Sequence, residues 1–377
     1  MGNRVEFWSS TEYASFLPAL MRALGERGWD AGTRFVIKED EYRGATGRVA
    51  RLALRAGAYG IYPLRLAAAM RSRLRPDVAV VCTNTFFAPW VAERVASRRG
   101  TPVVHWVYDL FPDVLVLAGT MKEGSMGEKL LRRLVRDTFD RAAANVFLGE
   151  RLRAHAESRF GPIPRSTVIA VGCDSSPFRL APPKDRPPGL PLRMLYCGNM
   201  GRMHDVETIV GVLRQGLPEG VEIEFRGNGA GFRILESTVK ALNLGTRVKM
   251  GGSLAEGEWV RAMLGAEVAL VTMRKGAEGL VVPSKAYSAM ASGQAVLAIC
   301  PGASDLADSV RANDCGWVVE PGDGAGLGRT IVEIIQNPEA LLRRRLNAWR
   351  AGRDLYDQRA LAALWARVLD GARVPMP

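Results

Sequence analysis

Short apolar runs rich in β-branched residues recur along this chain, and stretches with helical spacing lie between them. In the second half the runs are Arg193–Cys197, Val221–Phe225, Thr246–Met250, Val268–Thr272, Ala295–Ile299 and Trp317–Glu320. They return about every 20–30 residues, room for one helix between successive strands, which predicts βαβ units and a parallel sheet. In the first half the rhythm is looser: Arg4–Trp8, Thr33–Ile37, Asp77–Cys82, Pro102–Val107, Asn145–Leu148 and Thr167–Val171. This also reads as a parallel α/β domain. Near the end, Glu339–Arg353 reads as a basic helix. Leu355–Leu369 reads as an amphipathic one, with Leu361, Leu364, Trp365 and Val368 on one face.

Between the halves, Ala181–Pro191 carries five prolines in eleven residues. Such a run joins neither helix nor sheet and makes a semi-stiff connector. The expected division is therefore 1–180, a linker 181–191, and 192–353. Doubly wound domains bind ligands at the carboxyl ends of their strands.

Composition adds exclusions. Hydrophobic residues are 47% and charged residues 24% of the 377, an ordinary globular balance that excludes wholesale disorder. No apolar run is long enough to span a membrane. The five cysteines are scattered singly, without metal spacing, and read as reduced core residues of a cytoplasmic protein. The net charge of +12 is uneven: residues 1–180 hold 27 Lys and Arg against 18 Asp and Glu, and the rest 24 against 21. A basic first half suggests a nucleic acid, an anionic lipid or a phosphate-bearing substrate.

Four segments carry candidate chemistry. Gly198-Asn199-Met200-Gly201-Arg202-Met203-His204-Asp205 follows a strand and opens a helix at Val206, with Asp205 as N-cap. Free amides there attract anions, and Arg202 and His204 add positive charge; a plain strand–helix turn fits equally. Phe225-Arg226-Gly227-Asn228-Gly229 repeats strand into Gly-x-Gly, as a ligand loop or a tight turn. Glu278-Gly279-Leu280-Val281-Val282-Pro283-Ser284-Lys285 leads into a short helix with Ser284 as N-cap and Gly293 as its left-handed stop. Amides, a cation and a carboxylate together suit a sugar diphosphate; the alternative is a capped structural helix. In the first half, Tyr108-Asp109-Leu110-Phe111-Pro112-Asp113 puts two acids at a strand's carboxyl end, for acceptor hydroxyls or as turn and cap residues. His105, inside that strand, reads as a core histidine.

Other chemistries lack their residues. No His/Cys/carboxylate cluster has zinc spacing, no Asp-x-Asp pair ends a strand, and no Walker loop or serine elbow is present. The first strand runs into Ser9-Ser10-Thr11-Glu12, not a dinucleotide glycine loop. No metal and no cofactor are expected.

The Gly198–Asp205 segment with Glu207-Thr208, the run Ala266 to Lys285 with Met290-Ala291-Ser292-Gly293, and Tyr108–Asp113 together resemble the family 4 glycosyltransferases. The branch resembled builds colanic-acid and O-antigen-type polysaccharides. The likeness is good over about 100–370 and poor over the first 90 residues. It implies the GT-B fold: two Rossmann-like doubly wound parallel-sheet domains facing a cleft, with a C-terminal helix (354–377) returning to the N domain. It implies a retaining, metal-independent transfer from a nucleotide sugar, a UDP-sugar, to a saccharide or lipid-linked acceptor. Carried over, Gly198, Asn199, Gly201, Arg202 and His204 face the diphosphate and sugar. Gly227 and Gly229 line the nucleotide. Glu278, Gly279, Leu280, Ser284 and Lys285 hold sugar and phosphates. Ser288 stands where relatives have a ribose-binding glutamate, and Tyr108 where many have histidine. Tyr108, Asp109 and Asp113 fall on the acceptor side, and Asp109, Glu278 and Lys285 are the catalytic candidates.

Two rivals differ in kind. A nucleotide-sugar epimerase on this fold would need no acceptor groove. A basic nucleic-acid-binding protein would interleave aromatics with its basic stretches, for which Tyr42 and Tyr59 are sparse support. Finally, Arg48, Arg51 and Arg55 share one helix face, with Val49, Leu52, Ala53, Ala56 and Tyr59 largely on another; Ile61, Tyr62, Leu64, Arg71, Arg73 and Arg75 follow. Such a helix either lies on an anionic membrane surface, making the protein peripheral, or packs its apolar side on the sheet.

Overall fold

The computed structural model describes residues 3–12, 16–38, 48–72, 75–178, 181–187 and 189–373. Tyr42 and Arg73 lie outside them. The chain divides into two compact units. Unit 1 holds residues 1–170, 279–282 and 358–377; unit 2 holds 171–278 and 283–357. The break thus precedes the proline run, which groups with unit 2. There Arg345 donates to Lys184 O at 2.8 Å and to Gly293 O at 3.0 Å.

Unit 1 is a parallel sheet of six strands: β1 (Asn3–Trp8), β2 (Trp29–Arg34), β3 (Val78–Cys82), β4 (Val103–Val107), β5 (Ala144–Phe147) and β6 (Ser166–Val168). Their order is β2-β1-β3-β4-β5-β6. β3 and β4 are buried at every position, as strands covered on both faces are. β2 departs from the expected Thr33–Ile37. It pairs with β1 from Asn3 opposite Trp29 to Trp8 opposite Arg34, and Ile37 makes only an isolated bridge to Thr11. It is an edge strand, so its sequence lacks the apolar run that betrays a covered one.

The helix Gln358–Arg373 belongs to unit 1. Its buried face is Leu361, Ala362, Trp365 and Leu369, whereas Leu364 and Val368 are half-buried. Trp365 packs edge-on to Phe7 of β1 (5.6 Å between ring centres) and Trp106 of β4 (4.9 Å).

Unit 2 is a second parallel sheet: β7 (Leu192–Asn199), β8 (Val221–Asn228), β9 (Val248–Gly251), β10 (Val268–Thr272), β11 (Ala295–Ile299) and β12 (Gly316–Val319). The order is β12-β11-β10-β7-β8-β9, so the strand order reverses between β10 and β7. A large apolar core includes Met194, Tyr196, Ile223, Phe225, Leu297 and Ile331. β7 and β8 run on into the glycine turns, past the expected ends at Cys197 and Phe225, pairing Gly198 with Gly227 and Asn199 with Asn228.

Trp365→Ala removes a ring that is 1% exposed. A loss of about 3–5 kcal/mol is expected, seen as a lower denaturant midpoint.

Candidate functional site

The carboxyl ends of β7 and β10 flank the point where the order of the second sheet reverses, where doubly wound folds bind ligands. Four of the singled-out residues, Gly198, Asn199, His204 and Lys285, meet there. Lys285 opens the helix Lys285–Ala291 and reaches back across the end of β7. Its Nζ donates to Tyr196 Oη at 2.5 Å and to Asn199 O at 2.7 Å, and lies 4.3 Å from the centre of the Tyr196 ring. The Tyr196 hydroxyl donates to the same Asn199 carbonyl at 2.9 Å. Gly198, at φ +132°, makes room for this: a Cβ there would sit 2.7 Å from Lys285 Cε. Burial pulls the Lys285 ammonium down to about 7, offset in part by Cys197. An incoming anion would restore the charge.

His204 is fixed beside it, with Nδ1 2.9 Å from Thr272 O at the end of β10. Nδ1 is therefore the donor, and Nε2 carries the lone pair. Burial and then the Lys285 charge press its pKa down to about 3, against the Thr272 bond, so the ring is neutral at ordinary pH. The next helix is Glu207–Gln215 with Val206 as its N-cap, so Asp205 stands one residue earlier than expected and accepts from Thr208 N at 3.0 Å. That amide, one of those expected to attract anions, is occupied. Arg202 is exposed, and Gly201 O closes the turn by accepting from His204 N.

The glycine pair has a packing reason. A Cβ on Gly227 would overlap Gly198 O, and one on Gly229 would lie 2.5 Å from Met200 O. Both let the 198–200 loop lie directly on β8, where Met200 N donates to Asn228 O at 2.8 Å.

The Glu278 segment splits. Glu278 is half-buried and accepts from Gly276 N at 2.7 Å. Gly279 and Leu280 belong to unit 1, where Leu110 N donates to Leu280 O at 3.1 Å and Gly279 lies against His155. Ser284 is exposed and makes no capping bond. Its own backbone is already helical (φ −66°, ψ −20°), and capping needs an extended residue. Ser288 is half-buried one turn on. Gly293 does stop the helix, at φ +78°, with Gly293 N on Met290 O and Gln294 N on Ala289 O.

In unit 1 the two acids part company. The Tyr108 and Asp109 amides both donate to Thr83 Oγ1, at 3.0 and 3.1 Å. Burial raises the Asp109 carboxyl to about 6. Asp113 begins the helix Asp113–Leu117 and is held by Arg159 at 2.8 Å and Arg132 at 3.4 Å. Its pKa is lowered: burial works the other way, and contacts with His155 and the arginines outweigh it. An acid so paired is a poor free acceptor for hydroxyls. His105 is a core residue, buried with Nδ1 3.3 Å from Asn145 Oδ1. Its pKa falls to about 4 through burial.

A cleft of about 610 Å³ in unit 2, lined by Arg193, Glu224, Arg226, Lys249 and Ser253 among others, takes in Arg226 of the second candidate segment but none of the expected donor-binding, acceptor-binding or catalytic residues. Two of its arginines pair with acids, Arg193 with Glu267 and Arg226 with Glu224. Among the described residues no three His, Cys, Asp or Glu side chains could together hold a metal ion. Likewise no helix among them is long and apolar enough to cross a membrane. Sequence reasoning missed Tyr196, Thr272 and Thr83, which read as ordinary strand-end residues. It also missed the arginines around Asp113, which come from helices well downstream.

Residues 13–172 match the glycosyl transferase 4-like domain model, and residues 182–350 the glycosyl transferases group 1 model. The chain belongs to the family 4 glycosyltransferases. It is 29% identical over 274 residues to the probable glycosyltransferase WbjE of Pseudomonas aeruginosa, covering 70% of this chain and 67% of that one. Among solved structures, the UDP complex of Anabaena Alr3699/HepE aligns with a TM-score of 0.72 at 15% identity, over 98% of this chain and 100% of the other. That protein is also solved with UDP-glucose. Sucrose-phosphate synthase from Thermosynechococcus elongatus aligns at 0.75 and 17%, over 98% of each chain. At these identities the likeness speaks for the fold, and the fold is GT-B.

In this glycosyltransferase the glycine pair sets the shape of the switch point. Gly227→Ala is expected to lower the Tm through backbone strain of about 1–3 kcal/mol, with steric overlap added. Gly245→Ala, which meets nothing within 4 Å, should leave it unchanged. Equal melting of the two variants would contradict the packing role.

Proposed function

We propose that the chain is a retaining, metal-independent hexosyl- or N-acetylhexosaminyltransferase. Its donor would be a UDP-sugar and its acceptor a saccharide or lipid-linked saccharide of a surface polysaccharide. The nucleotide sugar is a co-substrate, and no further cofactor is needed. The observation that carries this reading is the half-buried Lys285 ammonium, held over the end of β7 at a switch point by Tyr196 and Asn199 O. Support comes also from WbjE, a probable glycosyltransferase, and from a fold shared with a protein that binds UDP-glucose.

In the transfer, the bond from the anomeric carbon to the diphosphate oxygen breaks as the acceptor oxygen forms its bond on the same face. The acceptor proton passes to the departing phosphate oxygen, so the protein has mainly to orient the pair and stabilise the growing diphosphate charge. Lys285 meets that charge, and the Gly198–Gly201 turn brings backbone close to it. Neutral His204, with its lone pair on Nε2, accepts from a sugar hydroxyl beside the diphosphate. Glu278 accepts from sugar hydroxyls, and Ser284 and Ser288 stand beside the phosphates and ribose. Asp109 accepts from the acceptor hydroxyl. The enzyme would work in the cytoplasm, at the inner face of the membrane where lipid-linked acceptors reside.

Lys285→Ala is expected to lower kcat/KM for the donor by the value of a charge-assisted contact, about 1.5–3 kcal/mol, with an unchanged melt. Normal donor kinetics would remove Lys285 from the site. EDTA should leave the rate unchanged, and a strict manganese or magnesium requirement would contradict the reading. The activity should rise with pH on a limb near 6 as Asp109 ionises. Asp109→Asn should abolish that limb along with most of the turnover.

A further inference from the structure

The helix Arg48–Ala56, the turn Gly57–Ile61 and the helix Tyr62–Arg71 differ from the rest of unit 1. From Arg48 to Arg75 the sequence has seven arginines and no aspartate or glutamate. The second helix is anchored, with Tyr62, Leu66 and Met70 in the core. The first is not. Gly57 is buried and Leu54 half-buried, and these positions face the unit. Val49 is 82% exposed and Leu52 68%, and Leu64 follows at 72%. With 3.6 residues per turn, Val49, Leu52, Ala53 and Ala56 form one stripe, and the exposed Arg55 lies beside it. The apolar stripe therefore faces solvent and does not pack on the sheet.

We propose that this segment docks the enzyme on a bilayer carrying anionic lipid. The aliphatic side chains would sink to the boundary between headgroups and acyl chains, with the arginines against lipid phosphates. Charge selects this occupant. Two copies of the segment face to face would bring like charges together with no acid between them. A nucleic acid would suit the arginines but leave Val49, Leu52 and Leu64 in water. Tyr59, half packed against Phe86 and Phe87, is not free to stack on bases. The inference rests on this surface alone, so its failure leaves the sugar-transfer reading intact.

The test is sedimentation of the full chain with vesicles of phosphatidylcholine, with and without about one third phosphatidylglycerol. The expected result is pelleting with the anionic vesicles at low salt and release at high salt. Arg55→Gln/Arg65→Gln should lower the partition about fivefold per charge. Leu52→Ser/Leu64→Ser should lower it while keeping the salt dependence. Both variants alter exposed side chains, so unchanged melting curves are expected. A wild type that stays in the supernatant at low salt overturns the proposal, as do variants that pellet like it. So does a wild-type dimer on gel filtration that Leu52→Ser/Leu64→Ser turns into a monomer.

Discussion

No side chain fits between the ends of β7 and β8, and the candidate site depends on that. Gly198 and Gly227 face each other in register, and a Cβ on Gly227 would overlap the Gly198 carbonyl. Only because both positions lack a side chain can the 198–200 loop lie flat on β8 and Lys285 lie flat on Gly198. The lysine is thereby drawn out of water and left with two oxygen partners, and its charge becomes costly. A site that binds a diphosphate needs a cation poised in this way: weakly solvated, already aimed, and stabilised most when the anion arrives.

Unit 1 separates its acids by the same physics. Asp109 is drawn out of water at the end of β4 with no cation to offset the loss, so its proton is held to about 6. Asp113, four residues on, is pinned by Arg159 and Arg132 and stays ionised. One is suited to meet a hydroxyl, and the other ties three helices together. The sequence could place both acids at the end of β4 but could not tell their roles apart, because the arginines come from the helices Met126–Arg141 and Glu150–Phe160.

Much of the fold was legible for an equally physical reason. Strands covered on both faces must be apolar throughout, so β3, β4, β10 and β11 announce themselves, and the last two match the expected bounds residue for residue. β2 was displaced because an edge strand can include Asp30, Gly32 and Thr33 and be held by its ladder to β1 alone. Pattern also shows that a helix has a stripe without showing what the stripe faces, which is why Val49 and Leu52 could be read either way. The Tyr196–Lys285 contact joins residues 89 apart in the chain, beyond the reach of any local spacing.

If a diphosphate completes the charge of Lys285, proton uptake measures it directly. Titrating UDP into the protein at pH 8, in buffers of different ionisation enthalpy, gives the number of protons bound with the ligand. With the free lysine near 7, most molecules begin neutral at that pH and must take up a proton as the anion binds. Uptake of about one proton per UDP is expected, vanishing in Lys285→Met. UDP binding with no proton uptake, or with the same uptake in Lys285→Met, would contradict it.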